Sequence, residues 1–262
     1  MGRVRVLLTN DDGIDSPGLH ALAAALAETA EVVVVAPSDN QSAVARGITI
    51  REELEVEERA VPGAVEAHAL TGTPVDCVRF ADVGLAGGPF DVVVSGANLG
   101  VNLGDDVTYS GTVAASMEGV LLGRPGLAVS QQPDSGEIHH IAEGAYSFDT
   151  AQRLVPVLAA ELASGRLGRD LVLNLNCPAG PARGVRMARL GRRIWSDQIA
   201  LVEQADGRRR FRLYGADSDY HREPGTDFAA IAEGYASLTA LHVDPEHPEG
   251  PELLARLDAL LA

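Results

Sequence analysis

The tightest constraint on the fold lies in the first 37 residues, where two apolar runs flank a helix start. RVRVLLTN (3–10) ends in an apolar run and reads as a buried parallel strand. Ser16 followed by Pro17 has the form of an N-cap with proline at the first helical position. Leu19, Leu22, Ala25 and Leu26 then give the helix one apolar face. EVVVVAP (31–37) is a second strand, stopped by Pro37. Strand, crossover helix and parallel strand together predict an α/β domain with helices packed on a mostly parallel sheet.

The remaining chain continues that alternation. ITIREELEVEE (48–58) mixes apolar and acidic residues as a half-exposed strand does, and the VPG that follows marks a turn. DVVVSGAN (91–98) and LVLNLN (171–176) read as buried strands, GLAVSQ (126–131) as another, and TVAASMEGVLLG (112–123) as a helix. Residues 138–165 predict a long helical region that Pro156 kinks or splits. TGTP (71–74) has the pattern of an ordinary turn. Beyond residue 180 the periodicity weakens. Residues 198–214 predict a β-hairpin turning at Asp206-Gly207, whose alternation does not suit a strand buried on both faces. The simplest parse is one α/β domain over 1–262, carrying a protruding arm at 186–216 that pairs with another subunit and a closing amphipathic helix at 251–262. A chain of 262 residues, 46% hydrophobic, buries a core large enough to need no disulfide or structural metal.

Several function classes are disfavoured by what the sequence carries. A formal net charge of −16 argues against tracking a nucleic-acid polymer, although a small phosphorylated ligand can be met locally by a cation or by backbone amides. Cys77 and Cys177 have no metal-ligand spacing and read as two buried thiols. The N-terminus has neither a signal peptide nor a myristoylation pattern, and no apolar run reaches membrane-spanning length, so a cytoplasmic location is expected. Dinucleotide, P-loop and GxSxG patterns are all missing. No histidine falls in the strand-end loops, which disfavours a histidine nucleophile; His139 and His140 read as helix-start residues.

In an open parallel sheet, ligands sit beyond the carboxyl ends of the strands. Three such ends here carry oxygen donors: Asn10, Asp11 and Asp12; Asp39, Asn40, Gln41 and Ser42; and Ser95 to Asn98. Carboxylates, amide carbonyls and hydroxyls are the donors hard divalent cations prefer, and a cation would turn the repulsion of Asp11 and Asp12 into a binding site. The plainer alternative is that these aspartates are turn and cap residues before the helix. A second feature is Ser110, Gly111 and Thr112, which open a helix of small residues. A helix N-terminus offers free N–H groups to a phosphate, and the two hydroxyls add donors. A simple Ser/Thr cap is the alternative there. Taken together, the two features suggest water attacking a phosphoryl group held at a helix N-terminus beside a cation.

The chain also resembles the SurE family of survival-protein nucleotidases. The likeness is carried by LLTNDDGIDSPG (7–18), APSDNQSA (36–43), TGTPVDCV (71–78) and above all VVVSGANLGVNLGDDVTYSGTVAASMEG (92–119), with weaker echoes at LNLNCP (173–178) and TDFAAIAEGYASLTAL (226–241). The resemblance implies a Rossmann-like three-layer α/β domain. It implies one divalent cation per subunit, Mg²⁺ or Mn²⁺ (Ca²⁺ in a crystal), held by Asp11, Asp12, Ser42 and Asn98. It implies catalysis through Asp11, Asp12 and Asn98, and substrate binding through Asn10, Asn102, Ser110, Gly111 and Thr112. The activity it implies is hydrolysis of nucleoside 5′- and 3′-monophosphates or other phosphomonoesters, with short polyphosphate as a further substrate. It also implies a homodimer or homotetramer built by exchanged C-terminal segments. One departure is visible: the second loop reads SDNQSA, with Gln41 where many relatives carry a basic residue. Two other readings compete. A Ca²⁺-dependent nucleoside N-ribohydrolase explains Asp11, Asp12 and Asp15 but leaves the YSGT helix start idle, and a non-catalytic nucleotide sensor predicts binding without turnover. Incubation with AMP separates the first two, because a phosphatase releases adenosine and phosphate whereas a ribohydrolase releases adenine.

Overall fold

A computed structural model describes residues 2–138, 144–194, 199–212 and 219–244. In chain order the strands and helices are β1 (Val4–Thr9), α1 (Pro17–Ala27), β2 (Ala30–Pro37), β3 (Val56–Glu58), β4 (Glu66–Leu70), α2 (Pro74–Phe80), β5 (Val92–Leu99), α3 (Gly111–Leu121), β6 (Gly126–Gln131), α4 (Asp149–Ala163), β7 (Val172–Cys177), β8 (Val185–Met187), β9 (Arg193–Ile194), β10 (Ala200–Ala205), β11 (Arg208–Arg212), β12 (Asp219–Tyr220), α5 (Asp227–Ala232) and β13 (Ala236–Leu241). Nine strands form one sheet in the order β3, β4, β2, β1, β5, β6, β7, β13, β8. Pairing is parallel from β4 through to β7, and antiparallel where β3 meets β4 and where β13 meets β7. The mostly parallel α/β architecture expected from the first 37 residues is therefore present.

The strand period of two divides the apolar residues between the two faces of the sheet. Val6 and Leu8 of β1 join Val32 and Val34 of β2 in a core closed by Leu19, Leu22 and Leu26 of α1 and by Val155, Ala159 and Leu162 of α4. Leu7 of β1, with Val33 and Val35, points the other way, into a core with Cys77 and Val78 of α2 and Ala115 of α3. Helices thus cover both faces, giving three layers.

Three local expectations change. Within 48–58 only Val56–Glu58 is a strand, and all three of its residues are exposed; an acidic, solvent-facing ribbon makes little of a sheet edge. Thr73 of the expected turn is instead the N-cap of α2: its hydroxyl accepts from the Asp76 amide, and the Asp76 carboxylate accepts from the Thr73 amide. Within 138–165 the described helix begins only at Asp149, and it runs through Pro156 without a split. The buried stripe Ala151, Val155, Ala159 and Leu162 holds it on both sides of the proline, so packing outweighs the lost hydrogen bond. His139 and His140, and the expected helix at 251–262, lie outside the described residues.

The hairpin is present: β10 and β11 pair antiparallel, and Asp206 and Gly207 at its turn have φ of 50° and 75°, as a type I′ turn requires. These two strands form a sheet of their own. Arg186 and Met187, inside the 186–216 span of the expected arm, pair with β13 in the main sheet. Among the described residues, no helix is long and apolar enough to cross a membrane.

Candidate active site at the carboxyl edge of the sheet

Strand order determines where a ligand can sit. From β1 the chain goes to β2 and β4 on one side, then returns to β5 on the other. The crevice between the loops leaving β1 and β5 is the switch point of the sheet. Asp11 and Asp12 follow β1, Asn98 lies near the end of β5, and the turn into α3 comes next in the chain.

The β1 loop is folded on itself and on its neighbours. The Asn10 side-chain amide donates to the Gly13 carbonyl at 2.8 Å, bracing the turn. Its carbonyl oxygen is buried with no hydrogen-bond partner among the described residues. Asp11 is 4% exposed, and the Thr112 hydroxyl donates to its Oδ1 at 2.5 Å. Asp12 Oδ2 accepts from the Leu99 amide at 3.1 Å. One carboxylate is therefore tied to the start of α3 and the other to the end of β5. Gly111 is required by that approach, since a Cβ there would lie 2.8 Å from Asp11 Cβ and 2.9 Å from its Oδ2.

Burial raises the pKa of Asp11, although the Thr112 hydroxyl and nearby backbone amides pull the other way. Burial, then the neighbouring charge of Asp11, pushes Asp12 up to about 7, with the Leu99 amide opposing. No basic side chain is among the groups that offset either carboxylate. Two adjacent carboxylates, one buried and one half-buried, repel each other and disfavour their joint ionisation unless a positive charge is placed beside them. Among the described residues no cluster of three or more His, Cys, Asp or Glu side chains exists, so the centre on offer is two carboxylates plus neutral oxygens. That donor set fits a hard divalent cation better than a soft one.

The second loop reaches the same place through its backbone. The Gln41 amide donates to the Asp11 carbonyl at 2.7 Å, and the Ile14 amide to the Pro37 carbonyl at 2.8 Å. Ser42 is exposed, with its amide donating to Asn40 Oδ1 at 2.8 Å. Asn98 is half-buried, follows a register shift between Ser95 and Asn98, and donates from its side chain to the Gly100 carbonyl at 2.9 Å. Ser110 is the N-cap of α3, its hydroxyl accepting from the Val113 amide at 3.1 Å. Asp11, Asp12, Gly111, Thr112, the Gln41 backbone and the end of β5 are thus joined by direct contacts. Ser42 and Ser110 lie on the segments so joined.

Asn102 belongs to a separate polar knot. Its side chain donates to the Ser130 hydroxyl at 2.8 Å, its amide donates to Asn176 Oδ1 at 2.8 Å, and its carbonyl accepts from the side chains of Asn174 and Asn176. Ser130, Asn174 and Asn176 are fully buried and were not expected as functional residues. Their signal in the sequence was the LNLN alternation, which places two amides on one face of an otherwise apolar strand. The knot fixes the backbone that leads from β5 towards α3.

An open, mainly parallel sheet with helices on both faces defines a Rossmann-like α/β protein, and its switch point carries the oxygen donors described above. The model of the family described as "Survival protein SurE" matches residues 6–197, and the chain belongs to that family. Curated relatives named 5′-nucleotidase SurE include two that are similar along nearly the whole chain. The one from Rubrobacter xylanophilus is 44% identical over 248 residues, covering 92% of each chain. The one from Chloroflexus aggregans is 45% identical over 243 residues, covering 91% of this chain and 93% of its own. The crystal structure of the SurE protein from Aquifex aeolicus superposes with a TM-score of 0.78 at 32% identity, covering 97% of this chain and 99% of that one.

Proposed function

We propose that this chain is a metal-dependent phosphomonoesterase that hydrolyses nucleoside 5′- and 3′-monophosphates, and short polyphosphate, to nucleoside and phosphate. The 5′-nucleotidase names of relatives 44% and 45% identical along nearly the whole chain support the nucleotidase reaction. One observation of the structure supports the rest: adjacent carboxylates, Asp11 buried and Asp12 half-buried, with no basic side chain among the described residues offsetting either, and with Asp11 bonded to the first turn of α3.

Asp11, Asp12, Ser42 and Asn98 would hold a divalent cation such as Mg²⁺ or Mn²⁺. When bound, that cation supplies charge neutralisation at the phosphoryl oxygens and acidifies nearby water. The protein's own share is positioning. Ser110, Gly111 and Thr112 would set the head of α3 and the Ser110 hydroxyl against the phosphate, with no side chain at Gly111 to hold it off. Asn10, whose carbonyl oxygen is unpartnered among the described residues, would accept from and orient the attacking water, and Asn102 would act on the phosphate through the backbone that its knot fixes. A water oxygen bonds to phosphorus as the P–O bond to the nucleoside breaks, and the water proton passes to the departing alkoxide. Asp12 is the better placed carboxylate to relay that proton, because Asp11 is held by Thr112. Unaided monoester hydrolysis is among the slowest of reactions, so alignment and charge stabilisation must supply most of the rate.

The exposed hairpin supports a homodimer or homotetramer in which this ribbon packs against a second copy. The decisive assay is a panel of nucleoside monophosphates and polyphosphates with and without chelator, across several divalent ions. Adenosine and phosphate from AMP, lost on chelation and restored by Mg²⁺ or Mn²⁺, is the expected result. Adenine as the product, or turnover indifferent to chelator, overturns the proposal.

A further inference from the structure

The family-like stretch NLGDD carries two aspartates that the site above does not use. Asp105 is exposed, whereas Asp106 is 3% exposed and faces Arg193, itself 3% exposed. The guanidinium grips the Asp106 carboxylate at both oxygens: Nε donates to Oδ1 at 2.7 Å, and Nη2 to Oδ2. Nη2 also donates to the Ile138 carbonyl at 3.0 Å, and the Arg193 amide donates to Asp105 Oδ2 at 3.2 Å. A second carboxylate ties the same two segments: Asp227 accepts from the Gly104 amide at 2.7 Å and from the Gly191 amide at 2.8 Å. The two backbones touch. A Cβ on Gly104, which has φ +53°, would lie 2.6 Å from the Gly191 carbonyl oxygen. Phe228 stacks on Tyr220 with ring centroids 4.8 Å apart, and the Arg193 guanidinium lies over the same ring at 5.4 Å.

The location gives this clasp its meaning. Gly104–Thr108 is a short 3-10 turn, and the chain passes from it straight into the Ser110 cap of α3. Asn102, on the other side, is already fixed by the knot with Ser130, Asn174 and Asn176. Arg193 opens β9, which pairs with β12, and these two strands stand on either side of the segment holding the hairpin. A fully buried bidentate ion pair is a costly way to stabilise a fold, because desolvation offsets much of its attraction. What it supplies well is a fixed geometry.

We propose that Arg193 and Asp106 are positioning residues for the phosphate-holding turn Ser110–Thr112, clasping it to the foot of the hairpin. This rests on the phosphatase reading above. The clasp itself touches neither the carboxylate pair nor the second loop; it reaches Asp11 only through Thr112, so its larger effect falls on phosphate placement and its smaller one on the cation. Removing one partner alone would strand a buried charge, so the test pairs Asp106→Leu with Arg193→Met, which keeps apolar bulk in place of both. Arg193→Lys, which keeps the charge but loses the two-pronged grip on Asp106, is the second variant.

Both variants should raise KM for AMP and the inhibition constant of inorganic phosphate together by about tenfold, while kcat and the Mn²⁺ dissociation constant stay within about twofold; a displacement of roughly 1 Å in a positioning group has effects of this size or larger. Hydrogen exchange over residues 101–111 should quicken in the double variant, a readout that needs no catalysis. A lower melting temperature with unchanged phosphate inhibition and unchanged exchange would show a fold-stabilising pair only and overturn the proposal. A matching loss of Mn²⁺ affinity would overturn it too, by showing that the change reaches the carboxylates as strongly as the phosphate turn. If wild-type protein neither cleaves AMP nor binds phosphate, the phosphatase reading itself fails, and unchanged exchange over 101–111 then removes the clasp as well.

Discussion

Two regions of the molecule each carry an excess that the described residues do not balance, and the two excesses differ in kind. At the end of β1, Asp11 and Asp12 put two carboxylates into a partly desolvated crevice, with no basic side chain among the described residues offsetting them. On the hairpin, Leu201, Val202 and Phe211 are each more than half exposed, on a two-stranded ribbon with only its own pairing. The first excess is charge, confined by hydrogen bonds from Thr112 and Leu99. The second is apolar area spread along a ribbon that is marginal in water by itself. Concentrated charge calls for a small, hard counter-ion. Distributed apolar area calls for a protein surface. The proposal gives a cation to the first region and a second copy of the chain to the second, and each half can be broken separately.

The largest effect is expected at the charged end. Asp11→Asn should lower kcat for AMP with saturating Mn²⁺ by on the order of 10³-fold or more, the scale of losing a group that organises transition-state charge. The melting temperature of the metal-free protein should hold or rise, because the substitution removes a desolvated charge. Near-normal turnover by Asp11→Asn would break the charge side of the comparison.

Gly111→Ala comes next. The new methyl would meet Asp11 Cβ at 2.8 Å, so either the carboxylate or the head of α3 must shift. A fall of about 10²-fold in kcat/KM is expected from a displacement of that kind. Stopped assays on the purified variant check it, and a loss smaller than about threefold would mean that α3 and the β1 loop need not approach so closely.

How much of this was legible in the sequence follows from the range of each interaction. Buried strands such as EVVVVAP announce themselves because both faces are covered, and the Asp-Gly turn of the hairpin is a local matter of φ. The candidate residues were legible as types: Asp11, Asp12 and Thr112 all stood out. The bond between Thr112 and Asp11 joins residues 101 apart, and only the sheet order brings them together. The short helix α2 escaped because its 7 residues are too few for periodicity, and its capping box uses Asp76 where Glu or Gln is the usual signal. Asn174 and Asn176 escaped because a buried apolar run hides the polar members that serve a distant loop. The Asp106–Arg193 pair spans 87 residues and could not be read from either segment alone.

Proton linkage gives a smaller effect with a definite sign. Asp12 sits at about 7 in the metal-free fold against an ordinary value of 3.8. Between these limits the folded chain keeps a proton that the unfolded chain has released. The metal-free protein should therefore lose stability as pH rises from about 4 to about 7, and the loss from this group levels off above that. A bound cation favours the ionised pair, so saturating Mn²⁺ should flatten the dependence, and Mn²⁺ affinity should climb over the same interval. Thermal unfolding at several pH values, with chelator and with Mn²⁺, reads both. A metal-free melting temperature that stays flat or rises across the interval would contradict the unbalanced charge at β1.

The smallest catalytic effect is expected from the hairpin, and it tests how independent the two regions are. Leu201→Asp with Phe211→Asp replaces exposed apolar side chains by charges, at little cost to a chain that keeps its own core. Sedimentation should show the oligomer shifting towards monomer, because a charge buried against a partner surface is strongly disfavoured. Were the regions unconnected, kinetics measured on the monomer would match wild type. The hairpin, however, springs from β9 and β12, and Arg193 of β9 grips Asp106 beside the phosphate turn. Losing the partner should loosen that foot without removing the ion pair, so KM for AMP should rise by about two- to threefold, below the tenfold expected of the clasp variants, with kcat unchanged. An oligomer untouched by two new charges would remove the hairpin from the interface. A full loss of turnover on dissociation would show instead that the second copy completes the site directly.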